Sequence, residues 1–152
     1  MNNPYAAYQS NAVTTLSQED ILLKLLEGAI VRIKQAIQLN NEGEKIRARE
    51  KRQRALEIVT ELDSTLDREN EAQDVVENLD ALYGFMIREF NNATLQDSFE
   101  RLQPIQEVLE DLYQGFQDAV QEVKKQNGSG VARETYPEMA SQQAEPAIRA
   151  RG

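Results

Sequence analysis

Apolar residues return every three or four positions in four separate stretches of the chain, with polar segments between them. The first stretch is Leu22, Leu25, Leu26, Ala29, Ile33, Ala36 and Ile37, the spacing of one buried helical face. Ahead of it, Ser17 and Asp20 stand at capping-box positions, and Leu16 and Ile21 at the staple positions that fix a helix's entry angle. Asn40, Asn41 and Gly43 predict its stop. A second stripe of Ala48, Ala55, Leu56, Val59, Leu62 and Leu66 predicts a helix from near Glu44 to Leu66. A polar, acidic stretch over 67–74 follows, in which Asp74 is a candidate cap. Val76, Leu79, Tyr83, Met86, Ile87 and Phe90 then predict a third helix closing at Asn91 and Asn92.

The fourth stripe runs Phe99, Leu102, Ile105, Leu109, Leu112, Phe116, Val120 and Val123, with Asp97 and Glu100 as its expected cap. Pro104 interrupts it while the stripe stays in phase, so a kink or a short leading turn is expected there. No stretch sustains the two-residue alternation of a strand. Four amphipathic helices with short connections predict an all-α fold, an antiparallel four-helix bundle over 16–126. An arm over 1–15 precedes it. The segment 127–152 opens with Asn127-Gly128-Ser129-Gly130 and is small, polar and aperiodic, so a flexible, disordered tail is expected.

Composition narrows the chemistry. The 152 residues hold one domain's worth of core, with 40% apolar and 28% charged residues. There is no cysteine, which excludes disulfides, thiol nucleophiles and thiolate metal sites. There is also no histidine, so the commonest acid–base catalyst and the commonest metal ligand are missing. An enzyme is not expected, and neither is any cofactor or metal. A net charge of −9 argues against general nucleic-acid binding, which needs a basic footprint. No apolar run reaches membrane-spanning length and the start lacks the features of a signal peptide, so a cytoplasmic location is expected.

Three local features carry competing readings. Lys45, Arg47, Arg49, Lys51, Arg52 and Arg54 crowd six cations into ten positions. The sharper reading is a phosphate or nucleic-acid site. The weightier one is a solvated helix face meeting an acidic partner in the chain, since Asp97 to Glu122 holds seven acids and one base. Glu107, Glu110 and Asp111 read as a solvated face before they read as a metal site, because no Glu-x-x-His pattern accompanies them. Gly28 lies inside the first helix, where glycine costs about 1 kcal/mol relative to alanine; close approach of a neighbouring backbone, or equally a notch used by a partner helix, is the expected reason.

The apolar faces are also wide. Ile21, Val31, Ile58, Leu82, Val108 and Tyr113 sit beside the main stripes, more than the roughly three positions in seven that a bundle core uses. Such a surplus predicts either a broad core or apolar grooves between helices that receive a partner. The arm YAAYQSNAVTT carries Tyr5 and Tyr8, two of the chain's nine aromatic residues, ahead of the first helix.

Taken together, these residues resemble the FliS family of flagellar secretion chaperones for flagellin. The resemblance rests on Tyr5-x-x-Tyr8, Val13-Thr14-Thr15 and Ile21 to Ile30, then on Ala55-x-x-Ile58-Val59-x-Glu61-Leu62-x-x-x-Leu66-Asp67. It continues in Glu77-Asn78-Leu79-x-x-Leu82-Tyr83-x-x-Met86 and in Val108-Leu109-x-x-Leu112, covering about residues 5–124. Many family members have Tyr-Asp before the helical glycine, where this chain has Leu26-Glu27. The resemblance implies a cytosolic bundle that binds the disordered C-terminal segment of flagellin, prevents early polymerisation and delivers it to the export gate. It implies flagellin and an export-gate component as partners; a homodimer is left open, and the charge and hydropathy already argue against nucleic acid and membrane insertion. The expected client groove and its cap comprise Tyr5, Tyr8, Ile58, Leu62, Leu82, Tyr83, Met86, Val108, Leu112 and Tyr113. The arm is expected to cover that groove when the client is absent. The rival expectation is a self-associating helical adaptor without chaperone activity.

Overall fold

The computed structural model describes residues 17–128. The arm with Tyr5 and Tyr8, the staple residue Leu16 and the tail beyond 128 lie outside the described residues. Within them the chain folds as four helices: α1 Gln18–Asn41, α2 Lys45–Ser64, α3 Gln73–Gln96 and α4 Leu102–Gly128. Each helix packs on two neighbours, α1 on α2 and α4, and α3 on α2 and α4, while the diagonal pairs keep their backbones apart. The result is an up-down-up-down bundle around a core that includes Leu26, Ile33, Val59, Leu62, Met86, Phe90, Leu102, Ile105 and Leu109.

The start of α1 follows its local chemistry. Ser17 Oγ accepts from the Asp20 amide at 3.2 Å, and an Asp20 carboxylate oxygen accepts from the Ser17 amide at 3.3 Å. This is the reciprocal box that satisfies two orphan donors of the first turn. At the other end Gly43, at φ +83, lets the Glu44 amide reach back to the Leu39 carbonyl at 2.9 Å. The left-handed residue and the six-residue closure make a Schellman stop.

Three boundaries differ from those expected. Asp74 does not cap α3: the helix starts two residues earlier, at Gln73 behind Ala72, with no side-chain cap, and Asp74 sits in its first turn. Next, α3 runs past Asn91 and Asn92 to Gln96, because Ala93 is fully buried and holds another turn onto the core. Asp97 therefore ends α3, in the left-handed region at φ 50, and does not begin α4. The turn into α4 is closed instead by Ser98 Oγ, which accepts from the Arg101 amide at 3.2 Å. As a result Pro104 falls in the first turn of α4, where its missing N–H has no partner to lose, and the short leading turn replaces a kink.

The closest helix pair is α1–α2. Fully buried Ala29, Ala36, Ala48 and Ala55 are small enough to permit that approach. Gly28 is not required by it. A methyl group at this position would meet the Ile58 side chain at 3.6 Å, an ordinary contact, and no neighbouring backbone closes on it. Among the described residues, Gln35 Oε1 is the buried side-chain polar atom left without a donor.

Candidate functional site

The two ends of the bundle are built differently. Where α2 and α4 begin, the cation-rich start of α2 converges on Asp97. Arg49 grips it with two nitrogens, at 3.1 and 2.7 Å, Arg52 adds a bond at 3.1 Å, and Lys45 stands 3.9 Å away. Arg52 is 5% exposed, also donates to the Ser98 carbonyl at 3.2 Å, and lies over the Phe99 ring at 4.6 Å. Lys45 lies over the same ring at 5.0 Å. The Arg49 hydrogen bond leads in holding the Asp97 carboxyl well below its usual range. Half of the sequence's basic window thus has its acidic partner inside the chain, and serves as a clasp.

The opposite end is open. The connection over 65–72 is held by Asp67, which accepts from the Asn70 amide and side chain at 3.1 and 3.0 Å, and by Arg68, which bridges Asp63 and Asp80 at 3.3 and 2.6 Å. These bonds lie on the surface and put nothing into the core. Beneath them is a cavity of about 400 Å³. Its walls are Leu22 and Leu25 of α1, Leu62 of α2 and Leu66 just past its end, Val75 and Leu79 of α3, and Phe116 of α4, with Tyr83 at the back. Gln18 and Glu19 form one rim, and Asn70, Glu71 and Ala72 the other. Burial, with the charges of Glu71 and Asp63, raises the Tyr83 hydroxyl, keeping it neutral. Although Glu71 is exposed at the rim, desolvation by its neighbours and then the nearby Asp67 charge raise its carboxyl above the usual value.

A second apolar strip leads away from the cavity between α3 and α4. Arg101 and Glu89 pair at 3.0 Å across that seam and set its register. Counting two helical turns from each, antiparallel, places Val108 level with Leu82; both are half-buried. Gly115 lies further along the same side of α4, towards the cavity.

The residues expected to form one groove are therefore distributed. Leu62 and Tyr83 meet in the cavity wall, and Leu82 and Val108 on the α3–α4 seam. Leu112 packs half-buried against the core between α3 and α4. Tyr113 lies on the α1 side of α4, three residues from Glu110, which pairs with Lys34 of α1 at 3.7 Å. Ile58 faces Gly28 in the α1–α2 seam, and Met86 is fully buried. Sequence reasoning missed most of the cavity: Leu22, Leu25, Leu66, Leu79 and Phe116 read as plain core stripe, and Glu71 as loop. The available signal was the long polar connection over 67–74, which supplies no large apolar side chain to close that end of the bundle.

An apolar bundle with one open end, in a chain without histidine or cysteine, fits a protein-binding module. The comparisons with known proteins agree. Residues 1–123 match the family described as flagellar protein FliS. The chain belongs to the FliS family. Over 131 residues it is 30% identical to the flagellar secretion chaperone FliS of Bacillus subtilis (strain 168), covering 86% of this chain and 96% of that one. The match includes the arm, all of α1 to α3 and most of α4. Among the described residues, no helix of this FliS family member is long and apolar enough to cross a membrane.

Proposed function

We propose that this FliS family member is a cytosolic export chaperone that binds the disordered C-terminal segment of flagellin, prevents its premature polymerisation and delivers it for secretion. The observation that carries the reading is the open apolar cavity of about 400 Å³, lined by side chains from all four helices. A disordered amphipathic segment gains most by folding onto a preformed apolar surface, and the cavity with the Leu82–Val108 strip provides one. The chemistry requires only burial, so neither metal nor nucleotide takes part. Anchor side chains inserted into the cavity supply affinity, and the ordering cost of the client is subtracted from it.

The segment 1–16 joins α1 beside Gln18 and Glu19, on the cavity rim. This supports the reading of Tyr5 and Tyr8 as a cap that covers the cavity and leaves when the client arrives. Titration with a flagellin C-terminal peptide, followed by circular dichroism, tests the function: helicity should rise to saturation at one peptide per chain. Ala72→Phe, which plugs the rim from an exposed position, should weaken the peptide by roughly tenfold, about 1.4 kcal/mol, with an unchanged melting temperature. Absence of any saturable gain in helicity would leave the self-associating bundle as the better account.

A further inference from the structure

The clasp at Asp97 accounts for only half of the six cations of α2. Lys45, Arg49 and Arg52 turn to α3 and Asp97. Arg47, Lys51 and Arg54 follow one another at i, i+4 and i+7, on the stripe that continues to Ile58. Ile58 faces Gly28, so this stripe borders α1. The facing stripe of α1 is Gly28, Arg32 and Gln35, again at i, i+4 and i+7. Counting along the antiparallel pair from Gly28 and Ile58 places Arg32 level with Arg54, and Gln35 level with Lys51. Arg54 has Glu57 at 3.0 Å. Among the described residues Arg32, Arg47 and Lys51 have no ion-pair or hydrogen-bond partner. Four cations therefore line about 11 Å of one seam, at 1.5 Å per residue, on a chain of net charge −9. Like charges one turn apart oppose folding. Glu57 offsets Arg54, but among the described residues no carboxylate pairs with the other three, so a role outside the bundle is the physical account.

We infer that the outer α1–α2 seam docks an acidic helical segment of a partner protein, at a site separate from the cavity and the α3–α4 strip. The spacing decides the class of occupant. Carboxylates at i, i+4 and i+7 of a helix repeat at the same interval as Arg47, Lys51 and Arg54, so three charge-assisted pairs form at once. Nucleic acid is disfavoured: four phosphate contacts must work against the whole chain's negative field, and no aromatic residue offers a base a stacking surface. A membrane surface is disfavoured because the stripe lacks the broad apolar face that an interfacial helix buries.

The test uses the full chain and a synthetic helical peptide carrying glutamate at i, i+4 and i+7, beside the same peptide with glutamine there. The glutamate peptide should bind one to one, lose affinity as salt rises, and lose at least tenfold on Arg47→Glu with Lys51→Glu. Lys124→Glu, an exposed cation on α4, should leave it unchanged. Affinity for the flagellin C-terminal peptide should be the same in the reversed variant and in the native chain, which separates this site from the client site. Should the reversal unfold the chain, Arg47→Gln with Lys51→Gln carries the same comparison. Equal binding of the glutamine peptide, or indifference to the reversal, overturns the inference. So does tighter binding of duplex DNA or of phosphatidylserine vesicles, each of which would assign the seam to that occupant.

Discussion

The two ends of this bundle solve the same problem, joining helices at a turn, with opposite results. At the clasped end both connections close through a left-handed residue, Gly43 or Asp97, and a Schellman bond back into the helix. Three cations then fix Asp97 to α2, and Phe99 is pinned beneath two of them. At the open end α2 stops without a left-handed cap, and eight residues over 65–72 cross to α3 tied by bonds to Asp67, to the last turn of α2 and to Asp80. Apolar side chains there line a cavity and do not fill one another's space. The core is alike in composition at both ends. The difference lies in what closes it, and the closed end gives a rigid base beneath the open one.

The largest expected effect sets core positions at the two ends against each other. Leu102→Ala, from a fully buried site beside the clasp, should cost about 3–4 kcal/mol. Leu22→Ala, in the cavity wall, should cost about 1–2 kcal/mol, because its environment is already partly empty. Urea unfolding measures both; equal losses would mean that the ends are equally packed.

Next comes the clasp itself. Arg52→Ala removes a charged donor from Asp97 and from the Ser98 carbonyl, and should cost about 2–3 kcal/mol by the same measurement. Midway between the ends, Gly28→Ala should raise stability by about 0.5–1 kcal/mol, since alanine favours the helix and meets only Ile58. A loss there would show that the α1–α2 seam needs the notch.

The smallest effect is the most discriminating, because the two ends respond to acid with opposite sign. Asp97 has a depressed carboxyl, so its contribution is complete above the unfolded value, about 4, and is lost as the pH falls below it. Glu71 has a raised carboxyl, so its ionised form disfavours the fold, and stability is recovered as the pH falls through its elevated value towards about 4. Covering the cavity shields Glu71 further, so flagellin-peptide affinity should rise as the pH falls over that window. The change should stay under tenfold, and Glu71→Gln should abolish it. An affinity as pH-dependent in Glu71→Gln as in the native chain would remove Glu71 from the binding site.

How much of this was legible in the sequence depended on how local its cause was. The start of α1 was readable because Ser17 and Asp20 complete their box within four residues. The end of α3 was not. Asn91 and Asn92 are good breakers, but the burial of Ala93 and the three cations of α2 on Asp97 are long-range facts. The family was readable because ordered fragments along most of the chain carried it. The cavity was not, because Leu22, Leu66 and Phe116 read as core and only the crossing over 65–72 leaves space between them.

The even number of antiparallel helices has a mechanical consequence. Residues 17 and 128 both emerge at the open end, since α1 starts there and α4 finishes there. Tension applied between them loads α1 and α4 in an unzipping geometry, which breaks contacts one turn at a time, where shear would load a whole seam at once. The first turns to yield are those around the cavity, and the salt-bridged clasp is the last to feel the force. A machine that pulled on both ends would thus dismantle the cavity before the rest of the molecule, and slackening would rebuild it on an intact base.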